Sequence, residues 1–264
     1  MADAPRRDVR FRGGGYEVRP RRVVPWLIFA LILLLWHVAT TRGWISPLSL
    51  PTPNSVLLAF GEMIDAGTLQ KHLWESARRI GLGWVLGTLA GLGVGLSMGI
   101  FSLARAGLLP LVSALFPIPK IALLPLFILW FGIGESSKVA TIAFGVFFPT
   151  VIAAYAACDS VPRNLIRMAQ SFGLPARHIV WKVIVPGAMP GILAGFRITA
   201  SIALILVVAA EMIGAEFGIG AYILATGNLM QTDHLLAGVA ILSVFGLLVS
   251  WALSAIERIV LRWR

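Results

Sequence analysis

The chain of 264 residues is 58% hydrophobic and 13% charged, with a mean hydropathy of +0.87. Soluble domains carry about 25% charged residues and roughly 45–50% apolar ones, so this chain lacks the polar side chains to face water over a whole surface and has the composition of a polytopic membrane protein. Its net charge of +10 must then be read by position along the chain and not as nucleic-acid binding, and its single cysteine, Cys158, excludes a disulfide framework or a cysteine metal cluster.

Residues 1–22 hold seven arginines and the run Gly13-Gly14-Gly15, and read as a basic cytoplasmic tail. The remainder, 23–264, reads as one transmembrane domain. A span needs about 20 apolar residues, and six stretches qualify: 23–40, 80–101, 108–133, 139–157, 191–210 and 235–256. The first is taken as a retained helix, because a 22-residue leader precedes it and no small-x-small cleavage site follows. With the N-terminus inside, the inner segments collect fifteen Lys and Arg against five outside. That asymmetry places both termini in the cytoplasm, where anionic lipid faces the basic residues.

Trp44 to Pro53 contains three prolines and reads as an extended outer loop. A helix follows from Asn54 as its cap, with Val56, Phe60, Met63 and Ile64 on one face and Gly67 as its stop. A second amphipathic piece, Leu69 to Arg79, is expected to lie along the outer interface or to pack as a short polar helix. The second span spaces Gly83, Gly87, Gly91, Gly95 and Gly99 four apart, which stacks them on one face for close contact with another helix, static or sliding. The third span carries Pro110, Pro117, Pro119 and Pro125, so it should kink or break near Pro117 and Pro119. Broken backbone at membrane depth needs protein or a water-filled cavity around it. Lys120 sits beside that break, either lining a path or pairing with a carboxylate such as Glu211.

The loop 158–190 is too polar to cross and too patterned to be disordered. Asp159-Ser160 before Pro162 starts a helix over 163–172, Gly173 ends it, and Pro175 opens a second helix running to Pro186. Within it, Arg167-Met168-Ala169-Gln170-Ser171-Phe172-Gly173, nine residues, and Val183-Ile184-Val185-Pro186 resemble the EAA loop of bacterial ABC importer permeases. Arg167 stands where that pattern has glutamate, and Met168 where it has alanine. Pro117 to Phe127, Trp130 to Gly134, Ala210 to Ala215, Gly218-Ile219-Gly220 and Gln231-Thr232-Asp233 are similar to the nitrate, sulfonate, taurine and bicarbonate permeases of that family.

The resemblance implies an all-α, six-helix membrane protein of the type I (MetI-like) importer permease fold, working in the bacterial inner membrane as a pair of identical subunits. It implies two ATP-binding subunits docked on the cytoplasmic loop through Arg167, Ala169, Ser171, Phe172, Gly173, Leu174 and Arg177, with Phe172 as an apolar anchor. It also implies a soluble solute-binding protein outside. Pro117, Pro119, Lys120, Arg197 and Glu211 are the candidates for the translocation path of a small, anionic solute. ATP and Mg are expected on the partner chain and no cofactor on this one, which has no Gly-x-x-x-x-Gly-Lys-Ser/Thr phosphate loop, no Gly-x-Ser-x-Gly and no His-Glu-x-x-His. The four histidines, in different segments, lack metal-ligand spacing. An integral membrane enzyme or an ATP-independent transporter are the alternatives. The first is poorly equipped, with only Lys120 and Arg197 charged inside the spans and Glu211 at an edge, and the second lacks an evident inverted repeat.

Overall fold

A computed structural model describes residues 23–263 and contains eleven α-helices among them. The basic tail 1–22 and Arg264 lie outside the described residues. Two compact units are present, one ending at Pro53 and one running from Asn54. In the first, α1 (Val24–Thr41) is apolar around its whole circumference and buries only Thr40, the pattern of a helix solvated by lipid. Its last turn is closed by its own threonines: the Thr40 and Thr41 hydroxyls donate to the His37 carbonyl at 3.1 and 2.7 Å. The Trp36 indole N–H then ties the following loop back through the Pro51 carbonyl at 2.9 Å.

The second unit holds α2 (Pro53–Asp65), α3 (Thr68–Ile100), α4 (Ser102–Leu115), α5 (Leu124–Phe131), α6 (Glu135–Asp159), α7 (Arg163–Ser171), α8 (Ala176–Ile179), α9 (Val185–Gly214), α10 (Ile219–Asn228) and α11 (Thr232–Val260). A short 3-10 turn, Lys120–Leu123, precedes α5, and a π turn, Val180–Ile184, joins α8 to α9. Helix α2 starts at Pro53, a position where a missing N–H costs nothing, and buries Val56, Ala59 and Met63. Gly67 follows it with φ +65, as a helix stop requires.

Two expectations need correction. The surface helix expected over 69–79 is the first third of α3, which runs unbroken for 33 residues, about 50 Å at 1.5 Å per residue. No Gly or Pro interrupts it there, and Arg78 and Arg79 are neutralised by carboxylates. The second loop helix does not stop at Pro186. That proline falls in the first turn of α9, where its absent N–H is not needed, and the π turn before it re-spaces the carbonyls its ring would meet. The expected break of the third span is present: among the described residues five single helices are long and apolar enough to cross a bilayer, and Ser102–Leu115 with Lys120–Phe131 form a pair bent by 87° that makes a sixth if counted as one span. The break falls at Pro117 and Pro119.

Helices α3, α6 and α9 form the centre. The glycine stack of α3 lies on α6: a Cβ at Gly83 would sit 2.6 Å from Ile142, at Gly91 2.7 Å from the Phe147 carbonyl, at Gly95 2.6 Å from the Val151 carbonyl, and at Gly99 2.5 Å from Cys158. Gly87 is as tightly placed over Ala143. Backbone therefore meets backbone over four turns. Helix α9 uses the same device at Gly191 and Gly195, against Ala157 and Ala153. Around these contacts pack Ile80, Ile142, Val146, Ala203, Leu206 and Val207 at one level, and Ala154, Ala157, Cys158, Val161, Ala188 and Ile192 at another. An edge-to-face run of Phe127, Phe144, Phe148 and Phe147 seats α5 on α6.

Candidate functional site

The connector between α6 and α9 projects from one end of the bundle. Its strongly amphipathic α7 turns Ile166 and Ala169 inward and leaves Arg167, Met168 and Gln170 exposed. Ala169 is buried at 3% exposure, and Ile166 packs against α6 and α9 residues at that end of the bundle. Helix α7 ends in a Schellman motif: Gly173 has φ +68, its N–H donates to the Gln170 carbonyl at 2.9 Å, and the Leu174 N–H donates to the Ala169 carbonyl at 3.2 Å. The Ser171 hydroxyl donates to the Arg167 carbonyl at 2.9 Å. This cap thrusts Phe172 outward with 78% of its surface exposed, beside the exposed Leu174 and Arg177. A Cβ on Gly173 would meet nothing within 4 Å, so glycine is required there for its backbone angle, and the space over it is open. From Ala176 the chain runs as one 39-residue helical segment to Gly214.

At the opposite end lies a charged cluster that the sequence did not disclose. Arg79 of α3, 3% exposed, grips Glu135 of α6 through Nε at 2.7 Å and Nη2 at 2.6 Å. Its Nη1 donates to Glu211 of α9 at 2.8 Å and to the Phe217 carbonyl at 2.5 Å. Glu211, 1% exposed, also accepts from the Ser76 hydroxyl at 2.8 Å and from the Gly220 N–H at 2.9 Å. Ser76 accepts in turn from the Ile219 N–H. Gly218 has room only for hydrogen, because a Cβ would strike the Glu211 carboxylate. Beside it His72 Nδ1 faces the Gly218 backbone at 2.9–3.0 Å, and the Tyr222 hydroxyl meets His234 Nδ1 at 2.8 Å. Burial pushes the Tyr222 phenol above its ordinary range. The lock fastens three helices and the start of α10. Glu211 is thus buried inside an ionic network. The remaining signal in the sequence was slight: an Arg-Arg pair and a Gly-x-Gly far apart along the chain.

Between the two ends lies the bend. Pro117 and Pro119 are exposed, and Lys120 is half-buried with its Nζ 3.0, 2.6 and 2.6 Å from the carbonyls of Leu115, Phe116 and Ile118. The structure does not pair Lys120 with Glu211. Arg197 of α9 is exposed and pairs with Glu257 of α11.

A helical, multi-pass bundle with one broken span and a capped two-helix connector defines the class: a transmembrane transport subunit. The chain belongs to the family described as the binding-protein-dependent transport system inner membrane component, whose sequence profile matches residues 83–262. It is 38% identical over 239 residues to the taurine transport system permease protein TauC of Escherichia coli K12, covering 89% of this chain and 87% of that one. It is 37% identical over 238 residues to the putative aliphatic sulfonates transport permease protein SsuC of Bacillus subtilis 168, covering 90% and 86%. Among solved structures, the methionine ABC transporter MetNI in inward-facing conformations shares the fold, with a TM-score of 0.62 at 24% identity over 73% of this chain and 95% of that chain. The protein is therefore the non-catalytic, multi-pass inner-membrane permease subunit of an ABC importer, whose ATPase resides on separate ATP-binding subunits and which works with a solute-binding protein.

Proposed function

We propose that two copies of the chain form the path for a small anionic solute of the taurine and alkanesulfonate class, or the kindred nitrate and bicarbonate class. Two ATP-binding subunits, carrying ATP and Mg, dock on the connector and drive it. Both termini are cytoplasmic, as the Lys and Arg asymmetry supports. The connector then lies on the inner side, and the charged lock beneath the solute-binding protein. The names of the two relatives support the solute class.

One observation carries the docking assignment: Phe172 stands exposed at the apex of a Schellman cap whose underside, Ala169, is buried. An apolar ring held rigidly in the open is the kind of anchor that dominates an interface. Arg167, Ser171, Gly173, Leu174 and Arg177 surround it as contacts, with Ala169 beneath. The bent segment with Pro117, Pro119 and Lys120, together with Arg197, lines the path. Closure of the ATP-binding subunits moves the connector, and the unbroken segment from Ala176 delivers that movement across the membrane.

The test is uptake of labelled taurine into proteoliposomes holding the permease, its ATP-binding subunits and its solute-binding protein. Phe172→Asp should reduce uptake and solute-stimulated ATP hydrolysis by about tenfold or more while the protein still accumulates in the membrane. Wild-type uptake by that variant, or uptake without the ATP-binding subunits, would refute the assignment.

A further inference from the structure

The carbonyls of a helix's last turn have no amide partners within the helix, and at bilayer depth water does not supply them. In α4 the shortage is worse, because Pro117 and Pro119 remove two amides that could have closed the turn. Three carbonyl oxygens, those of Leu115, Phe116 and Ile118, converge on Lys120 Nζ at 2.6 to 3.0 Å. An ammonium has three protons, so the acceptors match the donors one for one. The negative end of the α4 dipole favours a cation at this point, and the Phe148 ring of α6 faces it at 5.0 Å.

The same residue seats the bend. Lys120 opens the 3-10 turn from which α5 departs, and a Cβ on Gly145 of α6 would lie 3.7 Å from the Lys120 Cβ. Gly145 lies ten residues inside α6, roughly 15 Å from its start. The chain therefore turns by 87° within the membrane at a place where three carbonyls are gathered by one side chain, that of Leu115 also accepting from the Ile118 N–H at 3.3 Å.

We propose that Lys120 is a positioning residue: it caps the carbonyl end of α4 and holds the angle between α4 and α5, and it does not act as a charge that meets the solute. With its three protons committed to backbone, it offers none to an anion. This deepens the reading above, since it rests on the bent segment lining the path.

The cap can be tested without transport. In a Cys158→Ala background, spin labels on Leu111→Cys and Leu129→Cys, both at exposed positions, report the α4–α5 separation by pulsed electron resonance in lipid nanodiscs. With Lys120 present the distance distribution should be narrow. Lys120→Met should broaden it or shift it by several ångströms, Lys120→Arg should keep it narrow, and Lys120→Gln, which retains two donors but no charge, should fall between. If Met fails to accumulate, Gln against Arg decides the matter, because a role in charge alone predicts that Gln leaves the distribution unchanged. In proteoliposomes of the complete transporter, Lys120→Gln should lower the maximal taurine uptake rate by about threefold or more, with KM within about twofold. An unaltered distance distribution in the Met or Gln variant, or a KM raised by about tenfold at unchanged maximal rate, would overturn the proposal. Absence of taurine uptake by the parent complex would count against the solute reading and leave the distance measurement to judge the cap.

Discussion

Gly91 and Gly93 of α3 lie two residues apart, yet the same substitution should act on them in opposite directions. A Cβ at Gly91 would sit 2.7 Å from the Phe147 carbonyl oxygen and 2.8 Å from the Thr150 Cβ, whereas at Gly93 it would meet nothing within 4 Å. Ordinary contact begins near 3.4 Å, so Gly91→Ala is short by about 0.7 Å against a rigid helix backbone. That strain cannot be relieved by turning a side chain. The helices must part, and overpacking of this kind costs about 1–3 kcal/mol. At Gly93 the methyl group enters open space and reduces backbone freedom in the unfolded chain, a gain of up to about 1 kcal/mol. The two variants should therefore differ by roughly 1–4 kcal/mol in denaturant unfolding in micelles, followed by the fluorescence of the nine tryptophans. Equal stabilities, or a more stable Gly91→Ala, would refute the claim that the α3–α6 contact is backbone on backbone.

Two further outcomes follow from the ends of the bundle. Arg79→Met strands the Glu211 carboxylate in a site with 1% exposure and should cost about 3–5 kcal/mol. Replacing both residues by Met should recover much of that loss in the same unfolding assay, and additive losses would show that the two do not act as a pair. Gly173→Val forces a β-branched residue into a φ of +68, a local strain of about 1–2 kcal/mol. Transport and solute-stimulated ATP hydrolysis should fall together while membrane insertion, measured by quantitative immunoblot, stays normal. Preserved transport would contradict the docking role of the cap.

The long apolar runs, the glycine period, the proline break and the connector's two helices were legible because each is local, a spacing of two to seven residues or a count of twenty. What those features touch was not legible. The five glycines announced a close approach but not that α6 makes it. Arg79 finds Glu135 and Glu211 at separations of 56 and 132 residues, and no local pattern encodes such a meeting. Reading Leu69 to Arg79 as a separate amphipathic piece was reasonable in isolation, and it cut α3 short because the counter-charges of Arg79 lay elsewhere in the chain. Lys120 was singled out correctly as unusual. Its backbone partners were hidden because carbonyls carry no letter in a sequence. Pro186 misled for a related reason, since a proline stops a helix only when the preceding carbonyls are in standard register, and here a π turn alters it.

The segment from Ala176 to Gly214 is a rod whose phase matters as much as its length. Each residue advances the helical screw by about 100°, so adding or deleting one between Pro190 and Glu211 would swing the carboxylate away from Arg79 while leaving the apolar character of the span intact. Hydropathy would tolerate that change, but the gearing between the membrane's two faces would not. The irregular winding, at Val180–Ile184, lies at the near end of the rod, where Val183 and Ile184 already pack on the bundle, more than twenty residues from the mesh at its far end.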